Sequence, residues 1–245
     1  MARGKGETNS GLDVLPLDAL QGLSTANLAD AVIRLGLPIR LAPEAIKPIW
    51  PGATIFGPAR PVQHAGSVDI FLEALGAANP GDIIVIENHG LSDEGAIGDL
   101  IVREFKHAGA AGVVLWGAHR DTREILEIGL PVFSQGAYPS GPTRVNYLDD
   151  TALKRARIGD AVVTPDDIVM ADDDGIIFFD AKDLDAIASE AAEIRELETL
   201  QAARQDVGES LRQQFRFEEY LKRREDDTDL TFRKYLQDIE GAIEQ

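Results

Sequence analysis

Residues 83–116 constrain this chain more than any other stretch. After a Pro80-Gly81-Asp82 turn, Ile83–Glu87 is a continuous apolar run closed by an acid, and a short run without polar alternation suits a strand buried on both faces. Asp99–His107 puts Leu100, Ile101, Phe105 and Ala108 on one helical face, Gly109 ends it, and Gly112–Trp116 is a second apolar run. Strand, helix and strand in this order form a βαβ unit, which requires two neighbouring parallel strands joined by a right-handed crossover.

Around this unit, residues 16–180 are expected to form a mixed α/β body. Ser24 or Thr25 offers a helix cap, Leu28, Ala31, Val32 and Leu35 follow at helical spacing, and Gly36 is a stop. From 46 to 63 the chain changes to Pro, Gly and β-branched residues, suited to short strands and turns. Thr122–Ile128 is expected to be a short helix and Pro131–Ser134 a strand. Asp160–Thr164, Asp167–Ala171 and Gly175–Phe179, separated by Pro-Asp and Asp-Asp-Asp-Gly turns, are expected to form an antiparallel meander.

The composition shifts after residue 180. The last 65 of the 245 residues hold 17 acids and 10 bases. Leu184, Ile187, Ala191, Ile194 and Leu197 recur at helical spacing up to about Leu200. Phe215, Phe217, Tyr220, Phe232 and Tyr235 then follow among dense charges. A solvated tail has no need of aromatics, so 181–245 is expected to be a helical extension that packs on the body or on a neighbouring subunit. Residues 1–15 are expected to be flexible.

Charge and cysteine usage remove several functions. A net charge of −18 repels phosphate backbones and anionic lipid headgroups, so neither nucleic acid nor membrane is an expected partner. With no cysteine there are no disulfides, thiolate nucleophiles or Cys-ligated metals. The first ten residues carry positive charge but no signal-peptide apolar run follows, and no 18-residue apolar stretch occurs. A soluble, cytoplasmic protein is expected.

Ligands of open α/β sheets collect where parallel strands end and helix N-termini expose free N–H groups. The βαβ unit brings two segments to that edge, Gly95–Leu100 entering a helix and His119-Arg120-Asp121 leaving a strand. Gly95 and Gly98 would let backbone approach a ligand, and the N–H groups of 98–101 could hold a carboxylate. Arg120 offers a bidentate clamp, Asp121 an oxygen ligand for a hard cation, and Asp99 a carboxylate for proton handling. Local spacing alone favours Asp99 as a dipole-favoured helix start and Arg120-Asp121 as a surface turn with an ion pair. No histidine lies three or four residues from another, so a His-based metal site is not indicated. Asp172–Gly175 lacks the alternating ligands of a calcium loop and is read as a hairpin turn. There is no nucleophile elbow, P-loop or dinucleotide fingerprint.

Gly95-x-x-Gly98-Asp99-Leu100, with Arg120-Asp121 further on, resembles the glycine-pair and Arg-Asp signature of the RraA-like family. This family includes the 4-hydroxy-4-methyl-2-oxoglutarate/4-carboxy-4-hydroxy-2-oxoadipate aldolases. Pro51–Ala59, Pro80–Val85, Gly159-Asp160 and Val169–Gly175 are similar too, so the resemblance covers roughly 20–210. It implies an α/β, swivelling three-layer β/β/α sandwich, here with a C-terminal helical extension, assembled as a trimer or dimer of trimers. It implies a class II pyruvate aldolase using Mg²⁺ or Mn²⁺ on a 2-oxo acid, with oxaloacetate decarboxylation as a side activity. Carried over by position, Asp121 would bind the metal and Arg120 the enolate oxygen. The N–H groups of Gly98, Asp99, Leu100 and Ile101 would cradle the carboxylate, and Asp99 would position a water for proton transfer. A glutamate from a neighbour's C-terminal helix is expected, Glu198 or alternatively Glu193 or Glu196. Regulatory members, which inhibit RNase E, are said to lack an intact Arg-Asp pair, so the pair here favours catalysis over a non-catalytic regulator. His119 stands where the family usually has an apolar residue and is expected to tune substrate choice.

Overall fold

A computed structural model of the chain describes residues 16–147 and 150–239. The N-terminal segment 1–15, expected to be flexible, lies outside the described residues. After a 3-10 turn at Leu17–Leu20 come α1 (Thr25–Arg34), β1 (Arg40–Leu41), β2 (Lys47–Pro48), β3 (Ile55–Gln63) and α2 (Asp69–Leu75). The βαβ region contains β4 (Ile83–Glu87), β5 (Gly95–Ile97), α3 (Asp99–His107), β6 (Gly112–Trp116) and β7 (Ala118–His119). There follow α4 (Thr122–Ile128), β8 (Val132–Ser134), β9 (Ala156–Ile158), β10 (Ala161–Val163), β11 (Asp167–Ala171) and β12 (Ile176–Asp180). The last described elements are α5 (Leu184–Asp206), α6 (Leu211–Gln214), α7 (Phe217–Asp226) and α8 (Phe232–Asp238).

Eight strands form one mixed sheet in the order β1-β12-β11-β3-β4-β6-β8-β2. Its centre is parallel, with Ile83 opposite Gly112, Glu87 opposite Trp116 and Val113 opposite Val132. The expected βαβ unit is therefore present, with α3 as its crossover. The other ladders are antiparallel at the two flanks, β2 on β8 and β11 between β3 and β12.

Alternation along the strands divides the core. Ile84, Ile86, Val113 and Leu115 face α2, α3 and α4 through Phe71, Val102, Phe105 and Ile125. Ile83, Val85 and Val114 face the other way, onto Ile158, Val163, Val169 and Phe178. A β layer thus backs the sheet on the side away from the helices. Ile168, Met170, Ile177 and Phe179, on the opposite face of β11 and β12, are covered by Leu28 and Val32 of α1 and by Ile187, Ala191 and Ile194 of α5. The three-layer β/β/α arrangement accordingly carries a further helical layer.

Local chemistry explains the joints. Ser24 and Asn27 form a reciprocal capping box at the start of α1. Asp172, in the β11–β12 turn, accepts hydrogen bonds from the Thr25 N–H (2.8 Å) and hydroxyl (2.6 Å), tying that turn to α1. Gly109 ends α3 at φ +85°, a conformation that a side chain would resist.

Three expectations change, and the expected packing of the C-terminal extension is met in part. Asp160–Thr164 does not join a three-strand meander; β10 pairs with β9 in a separate two-stranded sheet, while β11 and β12 form the hairpin. Gly95–Ile97, expected only as the lead into a helix, is a short strand. Leu100 leaves the apolar face of α3, being 75% exposed, and Val102 takes its place in the core. The C-terminal aromatics pack mainly on each other: Tyr220, Leu230, Tyr235 and Leu236 are the buried centre of a cluster completed by Phe215, Phe217, Leu221, Phe232 and Ile239. Phe215, Phe217 and Phe232 stay half-buried at its edge, while α5 of the same extension packs on the body as expected.

Candidate functional site

The two segments that spacing pointed to do meet. β5 and β7 form a small parallel ladder beyond the main sheet, with Gly95 opposite Ala118 and Ile97 opposite His119. The Arg120 N–H donates to the Ile97 carbonyl at 2.9 Å, extending the ladder to the Arg-Asp pair. This backbone seam holds the start of α3 against the start of α4.

Gly98 is the N-cap of α3 and has no side chain with which to cap it. The Asp99 N–H reaches the Asp121 carboxylate, Oδ2, at 3.4 Å, and no described group takes up the N–H groups of Leu100 and Ile101. Asp121 sits in the left-handed region at φ +61°, ψ +40°. This conformation costs a non-glycine residue about 1 kcal/mol but is tolerated by Asp and Asn. The turn aims its carboxylate back at Gly98.

The glycine pair also has a structural reason within the chain. A Cβ at Gly95 would fall 2.9 Å from Arg120 Cβ and 2.8 Å from the Tyr138 carbonyl oxygen. A Cβ at Gly98 would fall 2.4 Å from Asp121 Oδ2 and 3.1 Å from Arg120 Nε. The glycines make room for Arg120 and Asp121 themselves. Arg120 Nε lies 3.5 Å from Asp121 Oδ2, and both side chains are part exposed, so the contact orients more than it stabilises. Asp99 is 3.6 Å from Arg103 one turn along α3.

These groups line a cleft of about 470 Å³ together with His64, Val68, Leu72, Leu100, Ile101 and Pro142. Gly98, Asp99, Leu100, Ile101, Arg120 and Asp121 are thus all on its wall. Glu198 is not: exposed on α5, it accepts a hydrogen bond from Asn27 Nδ2 at 2.9 Å within its own chain, and Glu193 and Glu196 do not line the cleft either. His119 is not among the residues that line this cleft. Side chains alternate along β7, so His119 points away from Arg120's side, with Nδ1 2.7 Å from Ser134 Oγ and Nε2 2.9 Å from Thr122 Oγ1. Burial holds its imidazole pKa below the ordinary value, and it borders a different depression with Lys47 and Gln135.

Local spacing missed His64. It follows the last residue of β3, which runs parallel to β4, so it too lies at the edge where parallel strands end. Its place at the end of a parallel strand is the available signal, because metal-ligand spacing carries no information about a lone histidine. His64 is 2% exposed and stacks on Phe71 at 5.0 Å and 11°. Its Nδ1 is 2.8 Å from Asn88 Oδ1, to which Arg144 Nη2 also donates at 2.7 Å. Arg144 is fixed in turn on buried Glu94, at 2.7 and 3.1 Å.

For a metal, the described residues contain no cluster of three His, Asp or Glu. What the cleft offers is the Asp121 carboxylate, kept clear by Gly98, with Asp99 on the same wall. A set of one or two carboxylates fits a hard cation such as Mg²⁺, which retains several waters and takes its other ligands from substrate.

Protein DlpA of Legionella pneumophila is 30% identical over 214 residues, 79% of this chain and 34% of DlpA. A Halalkalibacterium halodurans protein named "Putative 4-hydroxy-4-methyl-2-oxoglutarate aldolase" is 32% identical over 136 residues, 54% of this chain and 62% of that protein. The chain therefore spans about a third of the first relative and less than two thirds of the second. The structure of Streptomyces coelicolor RraAS2, described as an unusual member of the RNase ES inhibitor RraA protein family, matches with a TM-score of 0.66 at 27% identity, covering 82% of this chain and 98% of that one. The model of the RraA-like family, Aldolase/RraA, matches residues 25–178, and on that match across the α/β body this chain belongs to the RraA-like family.

Proposed function

We propose that the chain is a divalent-metal-dependent carbon–carbon lyase, which cleaves a 4-hydroxy-2-oxo acid to pyruvate by retro-aldol reaction and decarboxylates oxaloacetate through the same enolate. The observation that carries this reading is the convergence of Asp121, Arg120 and the open N-terminus of α3 on one cleft. The family and the name of the Halalkalibacterium relative support it.

Each residue then has a task set by its chemistry. The N–H groups of Leu100 and Ile101, with Gly98 and Asp99 beside them, receive the substrate carboxylate at the positive end of α3. Asp121 would hold Mg²⁺ or Mn²⁺, partly through water, and the cation would supply a Lewis acid for the 2-oxo oxygen. Arg120 donates to the oxygen on which enolate charge develops, and a preorganised donor there is worth about 3 kcal/mol. Asp99 positions the water that delivers a proton to the enolate carbon. Glu198 would act only in a homo-oligomer, trimer or dimer of trimers, where a neighbour's α5 meets this cleft.

A second reading, a non-catalytic partner of an RNA-processing enzyme, draws on the likeness to RraAS2. Pyruvate release from oxaloacetate and 4-hydroxy-4-methyl-2-oxoglutarate, with Mg²⁺ and with EDTA, separates the two. Metal-dependent release is expected; none from either substrate overturns the lyase reading. The protein is expected to act in solution in the cytoplasm, and among the described residues no helix is long and apolar enough to cross a membrane.

A further inference from the structure

The network around His64 determines which imidazole nitrogen carries its proton. An arginine side chain can only donate, so the Asn88 side-chain atom that receives Arg144 Nη2 at 2.7 Å is the amide oxygen. That oxygen cannot donate, so the hydrogen bond with His64 Nδ1, at 2.8 Å, needs the proton on Nδ1. Two-pronged bonding to Glu94 keeps Arg144 in place, and Phe71 covers one ring face of His64. The remaining edge of the ring, Nε2, bears a lone pair. No described residue bonds to it, while His64 itself lines the cleft. Burial is the main influence holding this imidazole pKa below the ordinary value. The Arg144 and His89 charges act in the same direction, against the Asn88 bond and Glu94. A neutral base with a fixed tautomer therefore lines the same cleft as Arg120 and Asp121.

On the lyase reading above, we propose that His64 Nε2 accepts the C4 hydroxyl proton of the 4-hydroxy-2-oxo acid in the retro-aldol step. The O–H proton passes to Nε2 and the O–H electron pair becomes the carbonyl π bond of the departing product. The C3–C4 bond breaks, and its pair forms the C2–C3 double bond of pyruvate enolate with the negative charge on the C2 oxygen. Water then protonates C3, and His64 returns its proton to solvent as the carbonyl product leaves. Asn88 keeps the Nδ1–H bonded throughout, so the ring gains charge without turning.

Oxaloacetate provides the discriminating comparison, because it has no C4 hydroxyl. Its C3–C4 bond breaks to carbon dioxide and the same enolate with no proton to remove. In His64→Gln, a residue of similar polarity without a basic nitrogen, retro-aldol cleavage of 4-hydroxy-4-methyl-2-oxoglutarate should fall by about 10²-fold or more, the usual contribution of a general base. Oxaloacetate decarboxylation should fall far less, so the ratio of the two rates should drop by about 10²-fold. Wild-type retro-aldol kcat should also show an acid limb that decarboxylation lacks. The proposal is overturned if both rates fall in parallel in His64→Gln, which marks a structural role, or if neither falls. It is overturned equally if the wild type decarboxylates oxaloacetate but does not cleave the hydroxy acid. Absence of metal-dependent pyruvate from both substrates in the wild type defeats the lyase reading itself and this inference with it.

Discussion

Gly98→Ala displaces the Asp121 carboxylate more than any other group of the site, Arg120 Nε being the next nearest to the new Cβ at 3.1 Å. Gly98 has φ −134° and ψ −173°, extended backbone open to any residue, so the substitution adds no backbone strain. The new Cβ would stand 2.4 Å from Asp121 Oδ2. Restoring van der Waals contact requires the carboxylate to move by about 1 Å, and a displacement of that size from productive geometry costs about 10²-fold in rate, or close to 3 kcal/mol. The fold should barely register the change. Asp121 is a part-exposed side chain that can swing outward, and alanine's poorer N-cap quality is offset by the lower entropy of the unfolded chain, each effect being under about 1 kcal/mol. Metal-dependent pyruvate release from oxaloacetate and thermal melting are the assays. The expected result is about a 10²-fold loss in kcat/KM with Tm shifted by no more than about 4 °C. Gly175→Ala, where an added Cβ meets nothing within 4 Å, is the control and should behave as wild type. Activity of Gly98→Ala within about threefold of wild type would refute the idea that the Asp121 position matters to the chemistry.

Asp121→Asn removes the charge while keeping a side chain that tolerates φ +61°; metal-dependent activity should be lost with Tm unchanged, and retained activity with normal metal dependence would remove Asp121 from the site. Tyr235, fully buried and donating its hydroxyl to the Arg216 carbonyl at 3.0 Å, anchors the C-terminal cluster. Tyr235→Ala should cost that cluster about 3 kcal/mol and raise amide exchange across 211–239, with protection in β4 and β6 unchanged. His64 and His119 both have imidazole pKa values held below the ordinary 6.5 by burial. The unfolded chain then binds the extra protons, so their contribution to stability is complete above the ordinary value and declines as pH falls through it. Urea unfolding at pH 7.5 and 5.5 should show this loss, and His119→Asn should make it shallower; a steeper loss in the variant contradicts the sign.

Legibility of the fold followed how much each element depends on its own residues. β4, β6 and α3 lie within the stretches expected for them because five-residue apolar runs and a glycine stop carry the signal locally. β5 and β9, three residues each, carry no periodicity at all; they are strands because partners elsewhere supply the ladder. Leu100 satisfied the helical pattern as well as Val102 did. Which of two adjacent apolar residues enters the core depends on the rotation of α3 over the sheet, and here Leu100 is left on the cleft wall. The aromatic content of 215–235 correctly demanded burial, but composition cannot tell packing on the body from packing on itself.

The site was legible in part for the same physical reason. Arg120, Asp121, Gly95 and Gly98 form one packing unit in which each glycine is required by the side chain facing it, so the constraint appears as a sequence spacing. His64 enters the cleft from the end of another strand, and its chemical state is set by Asn88, Arg144 and Glu94, residues distant in sequence from it. No local pattern encodes that relay. A spacing motif therefore marks where charge is gathered at this cleft, whereas the group best placed to take a proton there is defined only by the packing of residues that the motif does not contain.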